Sequence, residues 1–223
     1  MKEELEDSLK KNGYSFEQLI TQDIEHIDRY PIDDIYQTII IQSANAIKKI
    51  DSSNNHIFNT KKIYGIGPNC KYWVEKKFGC KCIIPDEDFS SNGLIEKINA
   101  DECDLGKTLL LKGEGGKLII NKFLDQKKIK YTVKNVYRRV INQENIIRVK
   151  EKINKEIVVI AFSRSSIEPI IKESKSLMAN CHCFVLDKSD EEIISTKDVL
   201  SLSKIDDIYD IEALTKKIID ING

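Results

Sequence analysis

The amino-acid sequence predicts an α/β protein of two lobes, each built of a parallel sheet flanked by helices. Short apolar runs rich in isoleucine, leucine and valine recur along the chain, and segments with helical features follow them after tight turns. Strands buried on both faces have this composition, and strands that alternate with helices at short intervals form parallel sheets with right-handed crossovers. Residues 39–50 and 158–171 repeat one pattern of strand, serine, small polar residue and helix, which indicates two similar sheets.

Capping residues indicate where several helices begin and end. Gly13 and Gly79 follow two of the predicted helices, and glycine readily adopts the left-handed conformation found there. Ser90 is a suitable N-cap for another helix. The predicted helices span 3–11, 70–78, 92–99, 117–126, 167–174 and 211–219, with another beginning at 43–45, and the predicted strands span 36–41, 62–66, 80–84, 107–111, 130–137, 157–162 and 182–186.

Length and charge restrict the function classes. Typical domains centre on roughly 100 to 150 residues, so a chain of 223 residues can form two small ones. The 35 Lys and Arg against 36 Asp and Glu leave a net charge of −1, which gives no global attraction to nucleic acid or an anionic membrane. No stretch approaches the roughly 18 apolar residues of a membrane span, and residues 1–19 lack the features of a signal or transit peptide. We therefore expect a cytoplasmic protein without nucleic-acid or membrane partners, in which local groups bind any acidic ligand.

The six cysteines are expected to be free thiols. A disulfide framework is disfavoured in a cytosolic chain of this size. Cys80 and Cys82, like Cys181 and Cys183, are spaced as C-x-C and would point to one face of a strand. Zinc sites usually use C-x₂-C with a paired second half, which this sequence lacks. We expect buried strand cysteines and no metal.

Small and polar residues follow four of the predicted strands. These turns contain Ser43, residues 65–69, residues 113–116 and residues 163–166. Ligands of open parallel sheets bind outside the carboxyl ends of the strands, where free backbone N–H groups and the helix dipole favour anions. Geometry alone explains any single turn, since short strand-to-helix loops need glycine or serine. Four such turns facing one cleft would form a site for a polyanion.

Two nucleotide-binding motifs are excluded by spacing. The segment KGEGGKL fails as a P-loop, because Leu111 stands where the first glycine belongs and Leu118 replaces the Ser or Thr that would hold Mg²⁺. Gly65 and Gly67 fail as a dinucleotide fingerprint, because Cys70 stands where the third glycine belongs. Nucleotide binding is therefore disfavoured.

Several blocks of the sequence resemble uroporphyrinogen-III synthases in their order and spacing. They are IIIQSANAI, IYGIGPNCKYWVEKKFG, LLLKGEGGKLIINKFLDQKKIKYTVKNVYRRV and IAFSRSSIEPI, within residues 8–172. The resemblance implies two lobes of parallel sheet joined by a pair of connecting strands, with an inserted lobe at 35–140 and a discontinuous lobe at 1–34 and 141–223. We place the passage between the lobes in the charged stretch 141–154.

The same resemblance implies cyclisation of hydroxymethylbilane to uroporphyrinogen III without a metal or other cofactor. In this reaction the substrate loses its hydroxyl as water, closes through a spiro intermediate and inverts its last pyrrole ring. The acetate and propionate groups of the substrate need many anion-binding groups, which helix N-termini can supply. The implied pathway is tetrapyrrole biosynthesis in the cytoplasm, and we expect a monomer.

By resemblance, Tyr137 is the proton donor for the loss of water. A phenol, with an ordinary pKa of about 10, stays protonated at neutral pH. Without the family, a half-buried strand tyrosine that contributes packing is the simpler interpretation. Arg138 or Arg139 is expected to meet substrate carboxylates, with solvated surface residues as the alternative. The candidate substrate-binding residues are Ser43, Asn45, Gly67, Asn69, Gly113, Gly115, Gly116, Arg138, Ser163, Ser165 and Ser189.

Two features depart from the family pattern. The chain begins at the first predicted helix, so the strand that usually precedes it in the discontinuous lobe is expected to be missing. Residues 186–190 replace a Gly-Pro-Thr-Thr-like turn, and Asp187 and Asp190 would repel an anion unless Lys188 or Ser189 compensates. Two alternatives therefore stay open: a non-catalytic or impaired descendant that binds a tetrapyrrole or another polyanion, and an unrelated two-lobed protein that binds small anions.

Overall fold

The chain folds into two compact units. A computed structural model describes residues 2–27, 32, 35–48, 50, 52–59, 62–152, 156–161, 163–185, 199–205 and 210–221. Ile24–Arg139 form one unit, which we call the inserted unit, and Met1–Asp23 with Val140–Gly223 form the other, the discontinuous unit. The chain enters the inserted unit earlier than the boundary predicted after residue 34, because residues 22–26 form a strand that the sequence pattern did not reveal.

The described residues contain alternating strands and helices. The strands are β1 (Gln22–His26), β2 (Thr38–Ile41), β3 (Lys62–Gly65), β4 (Thr108–Gly113), β5 (Tyr131–Ile141), β6 (Ile157–Ala161), β7 (Cys181–Val185) and β8 (Ser201–Lys204). The helices are α1 (Lys2–Lys11), α2 (Asn45–Lys48), α3 (Pro68–Phe78), α4 (Ser91–Ala100), α5 (Ile119–Gln126), α6 (Gln143–Lys152), α7 (Arg164–Ser174) and α8 (Ile211–Ile219), with 3-10 helices at Ser52–Phe58 and Lys175–Asn180.

The inserted unit is built on a five-stranded sheet in the order β1-β5-β4-β2-β3. β2 pairs in parallel with β3 and β4, and β4 pairs in parallel with β5. Ile39 and Ile41 pack into one core with α2 and α3, whereas Ile40 between them packs into a second core with α4 and α5. Fully burying one such side chain contributes about 1.5–3 kcal/mol. The sheet is therefore covered on both faces, and the predicted α/β class with parallel sheets flanked by helices is confirmed.

The pairing of β2, β3 and β4 places the carboxyl ends of these strands close to one another. Ile41 at the end of β2 lies opposite Gly65 on one side and Leu111 on the other. Gly113 at the end of β4 lies opposite Tyr137 of β5, just after an irregularity in the pairing. The turns after β2, β3 and β4 therefore leave the sheet along one edge, which we call the carboxyl edge of the inserted sheet.

The discontinuous unit contains a parallel sheet in the order β6-β7-β8. Leu5 of α1 and Leu214 of α8 are buried in one core, and Ile146 of α6 and Ile167 of α7 are buried in another. Residues 141–154, in which the sequence analysis places the passage between the lobes, contain α6. Its buried apolar residues recur at helical spacing within a charged segment.

Besides β1, two more strands differ from the sequence prediction. Residues 80–84 form a single bridge, between Ile83 and Tyr64, in place of a full strand. Pro85 follows at once and has no N–H to donate to a ladder, so the pairing stops there. The polar strand β8 was not predicted, and it pairs with β7 in parallel. The predicted strand ends at 162 and 186 lie outside the described residues.

Candidate functional site

The ring of Tyr137 lies against Gly113 at the carboxyl edge of the inserted sheet. A Cβ atom on Gly113 would come within 2.6 Å of the ring carbon Cε2 and 2.8 Å of the phenol oxygen, so only glycine lets the ring take this position. Tyr137 is 4% exposed. Among the described residues, Gln22 Oε1 is the one fully buried side-chain N or O atom without a hydrogen bond. The unpaired phenol oxygen of Tyr137 therefore reaches solvent, beside the start of the glycine-rich turn (residues 113–118).

The glycine-rich turn depends on its glycines and is tied to the strand of Tyr137. Gly115 has a φ of +70°, in the left-handed region that favours glycine. The N–H of Gly116 donates to the carbonyl of Gly113 at 3.3 Å, and the N–H of Glu114 donates to the carbonyl of Tyr137 at 2.8 Å. A Cβ on Gly116 would lie 3.2 Å from that same Gly113 oxygen. The path of the turn is therefore fixed by close backbone approaches.

Lys112 lies beneath this turn and was not singled out from the sequence. Its ammonium nitrogen donates to the carbonyls of Gly116 at 2.9 Å and Lys117 at 3.0 Å, and lies 3.4 Å from Asn121 Oδ1. Burial lowers the pKa of Lys112. A lysine that ends an otherwise apolar, buried strand is unusual enough to have been noticed in the sequence.

Arg138 and Arg139 have different partners. The Arg138 guanidinium pairs with both carboxylate oxygens of Glu25, at 2.9 and 3.0 Å. Arg139 lies on the face of β5 that Tyr137 occupies, because residues two apart on a strand point the same way. Its guanidinium carbon is 5.9 Å from the centroid of the Tyr137 ring, and it forms no ion pair with any described residue. The structure thus brings Arg139 to Tyr137, whereas the Arg138 guanidinium is already paired with the Glu25 carboxylate.

α3 and α5 begin at the carboxyl edge without a side-chain cap. Gly67 precedes α3 and Leu118 precedes α5, and neither offers a side-chain hydrogen-bond acceptor to the first N–H groups of its helix. By contrast, Ser90 Oγ accepts two N–H groups of α4, each at 3.2 Å, and the Asp210 carboxylate caps α8. Uncapped N–H groups, together with the positive end of the helix dipole, favour an anion.

The other candidates of the inserted unit lie along the same edge. Ser43 Oγ accepts the N–H of Asn45 at 3.2 Å, so this hydroxyl already supports its own turn. Asn69 is exposed in the first turn of α3. Gly67 lies under the side chain of Phe89, whose Cβ would be 3.1 Å from a Cβ at this position. The inserted unit therefore places the candidates from three turns along one sheet edge.

The serine-rich turn of the discontinuous unit pairs its polar groups internally. The N–H and hydroxyl of Ser166 both donate to the carbonyl of Ser163, at 3.0 and 2.6 Å. The hydroxyl of Thr21 donates to the Ser166 carbonyl at 2.6 Å. Ser165 lies in α7, and the position of its side chain is not among the described features. Ser189 and the two aspartates beside it lie outside the described residues.

The cysteines are free thiols. Burial raises the pKa of Cys82 to about 12 and that of Cys183 to about 12, which disfavours the thiolate form that metals bind. Within the described ranges, no group of three or more His, Cys, Asp or Glu side chains could hold a metal ion. No helix in the described parts of the chain is long and apolar enough to cross a membrane.

Comparison with known proteins identifies a family and a fold. Residues 3–186 match the family described as uroporphyrinogen-III synthase HemD. No curated protein sequence matches the chain. The uroporphyrinogen-III synthetase of Helicobacter pylori superposes with a TM-score of 0.67 at 10% identity, over 91% of this chain and 93% of that chain. A mutant uroporphyrinogen III synthase of Thermus thermophilus gives a TM-score of 0.58 at 9% identity, over 99% of this chain and 96% of that one. At these identities the two structures bear on the fold alone, and they agree with the predicted class.

Proposed function

We propose, since the chain belongs to the uroporphyrinogen-III synthase family, that it is a cyclising lyase that converts hydroxymethylbilane into uroporphyrinogen III. The matched region, residues 3–186, includes Tyr137 and the glycine-rich turn. The observation that carries the proposal is the phenol oxygen of Tyr137, which reaches solvent beside the start of that turn. A proton donor thus lies next to backbone groups suited to a carboxylate.

In the proposed reaction, Tyr137 donates its phenol proton to the substrate hydroxyl as the C–O bond breaks and water leaves. The resulting cation is attacked by the substituted carbon of the last pyrrole, and the spiro intermediate reopens and recloses with that ring inverted. Because the overall reaction releases only water, the proton lost when the last ring regains aromaticity returns to the phenolate. General acid catalysis of this kind contributes about 10²- to 10⁴-fold in rate.

The acetate and propionate groups are proposed to bind at the carboxyl edge of the inserted sheet. The start of α5 and the N–H of Asn69 in α3 supply donors for these carboxylates. Pro68 has no N–H, and that of Cys70 donates to the Gly67 carbonyl. Arg139, which lies over the Tyr137 ring, supplies a cation for one more carboxylate. The remaining contacts stay predictions: Ser43, Asn45, Asn69, Arg138, Ser163, Ser165 and Ser189. We also propose that the protein acts as a cytoplasmic monomer without a cofactor.

Isomer analysis tests this function. Freshly made hydroxymethylbilane is incubated with the protein, the product is oxidised, and the uroporphyrin isomers are separated by chromatography. We expect the type III isomer with the native protein and type I with a heat-inactivated sample, because unassisted closure gives type I. Type I alone with the native protein contradicts the proposal.

Binding separates the two alternatives if turnover fails. Tight binding of uroporphyrinogen III without conversion of hydroxymethylbilane supports a non-catalytic descendant that keeps the anion-binding edge. No affinity for any tetrapyrrole supports an unrelated binder of small anions, which a thermal-shift screen of small carboxylates and phosphates would reveal.

A further inference from the structure

Lys112 is a buried cation with no carboxylate partner among the described residues. The residue is 4% exposed, and lysine is almost never buried to this extent unless it is paired. None of the described carboxylates pairs with its ammonium group, which instead has three oxygen acceptors at 2.9, 3.0 and 3.4 Å. These match the three donors of an ammonium. Burial lowers the pKa of Lys112, because it disfavours the charged form of the ammonium.

The two carbonyl groups bound by Lys112 determine where the next N–H groups point. In a trans peptide, the C=O of one residue and the N–H of the next lie in one plane and point in opposite directions. No cis peptide bond occurs among the described residues. Because the carbonyls of Gly116 and Lys117 point toward the ammonium, the N–H groups of Lys117 and Leu118 point away from it, toward the outside of the turn.

These two N–H groups lie at an exposed position. Lys117 and Leu118 are both exposed, and Leu118 directly precedes α5. No described residue accepts a hydrogen bond from either N–H group. Within the same turn, the N–H groups of Glu114 and Gly116 instead donate to backbone carbonyls. Two consecutive N–H groups that point outward can both donate to one carboxylate.

We propose that Lys112 is a positioning residue, which holds the glycine-rich turn so that the N–H groups of Lys117 and Leu118 bind a carboxylate of the tetrapyrrole, an inference that rests on the proposed function. The ammonium also places a positive charge beneath this carboxylate without touching it. Lys112 therefore acts on substrate binding and not on the proton transfer at Tyr137.

Steady-state kinetics of three variants test this role once the wild type is found to form the type III isomer. Lys112→Met removes the charge at similar length, Lys112→Arg keeps the charge and the donors, and Lys122→Met removes an exposed lysine of α5 as a control. We expect Lys112→Met to raise KM about tenfold with kcat within about twofold, which is the size of one lost charge-assisted contact. Lys112→Arg should recover part of the affinity, and Lys122→Met should behave as the wild type.

Several outcomes overturn the inference. A folded Lys112→Met variant with unchanged KM contradicts it, and so does a fall in kcat alone. If the wild type makes type III isomer while Lys112→Met keeps its KM, only the inference on Lys112 fails. If the wild type makes no type III isomer, the proposed function fails and the inference fails with it.

A second measurement applies if Lys112→Met does not fold. Wild-type protein labelled with ¹⁵N is titrated with uroporphyrinogen III under nitrogen, and the backbone amide signals are followed by NMR. We expect the signals of Lys117 and Leu118 to move further than that of Lys122. Unmoved signals at Lys117 and Leu118 contradict the inference.

Discussion

The two units end their strands in different ways. At the carboxyl edge of the inserted sheet, the glycine-rich turn leaves backbone N–H groups toward solvent and is supported from below by Lys112. In the discontinuous unit, the turn before α7 satisfies its own groups, because Ser166 donates both its N–H and its hydroxyl to Ser163. A turn whose donors are already paired offers fewer of them to a ligand. The comparison teaches that, of the turns described, those of the inserted unit are better built for anions.

Gly113→Ala should have the largest effect. The new methyl group would meet the Tyr137 ring, whose Cε2 atom is 2.6 Å from the added Cβ, and the ring must move. We expect kcat/KM for the type III isomer to fall about 100-fold, since a small misplacement near the chemistry can cost that much. Overpacking should also lower the free energy of unfolding by about 1–3 kcal/mol. Initial rates and urea denaturation measure the two effects.

Two control variants show whether a loss of activity in Gly113→Ala is specific to that position. Gly79→Asn alters a left-handed glycine that ends α3, where an added Cβ meets no atom within 4 Å, and asparagine tolerates that backbone. Ser163→Ala removes a hydroxyl from the serine-rich turn of the other unit. We expect Gly79→Asn to keep rates within about twofold, as exposed substitutions usually do, and Ser163→Ala to lose less activity than Gly113→Ala. A loss of activity in Ser163→Ala as large as in Gly113→Ala would break the comparison between the units.

Tyr137→Phe should have the next largest effect. The ring still fits against Gly113, and only the solvent-reaching oxygen is lost. We expect kcat to fall about ten- to hundredfold, at the lower end for a general acid, because the substrate already tends to ionise. KM and the type III isomer should be retained. An unchanged kcat removes Tyr137 from the mechanism, and a shift to type I product would mean that the tyrosine positions the substrate.

The two neighbouring arginines should differ by a smaller amount. Arg139→Gln removes a cation that lies over the Tyr137 ring, whereas Arg138→Gln mainly breaks an exposed pair with Glu25. We expect Arg139→Gln to raise KM about fivefold and Arg138→Gln to raise it by a smaller factor, because the Arg138 guanidinium is already paired with Glu25. Substrate titrations at two salt concentrations measure both. A larger effect at Arg138 would mean that the substrate displaces Glu25.

High pH should lower the free energy of unfolding of both units, whereas neutral pH should leave it unchanged. Burial raises the pKa of Cys82 in one unit and of Cys183 in the other from 9.0 to about 12. Below pH 9 the folded and unfolded states both hold these protons, and above it the unfolded chain loses them first. The free energy of unfolding should therefore fall as the pH rises from 9 toward 12. Urea denaturation at both ends of this range checks it, and Cys82→Ala and Cys183→Ala should each show a smaller fall than the wild type.

Local signals in the sequence were enough for much of the fold. Gly79 ends α3 in the left-handed conformation and Ser90 caps α4, as predicted, because both effects depend on residues within one helical turn. The apolar run before Ser43 became the fully buried strand β2. The short strands β1 and β8 were missed because they are polar, and their pairing with distant strands is a tertiary property.

The candidate site was less predictable for a related reason. The glycines around Tyr137 could be found from composition, but the choice between Arg138 and Arg139 depends on Glu25, which lies 113 residues earlier in the chain than Arg138. Lys112 was missed because its role depends on two carbonyls that turn back beneath the strand end. The roles of the aspartate-containing turn and of Ser189, which lie outside the described residues, stay predictions.

A crystal structure of the protein with bound uroporphyrinogen III is the most direct test of the account. We predict substrate carboxylates on the N–H groups of Lys117 and Leu118 and near the start of α3, with a pyrrole carbon of the closing ring beside the Tyr137 oxygen. A tetrapyrrole bound elsewhere, with the glycine-rich turn and Tyr137 facing only water, would contradict it.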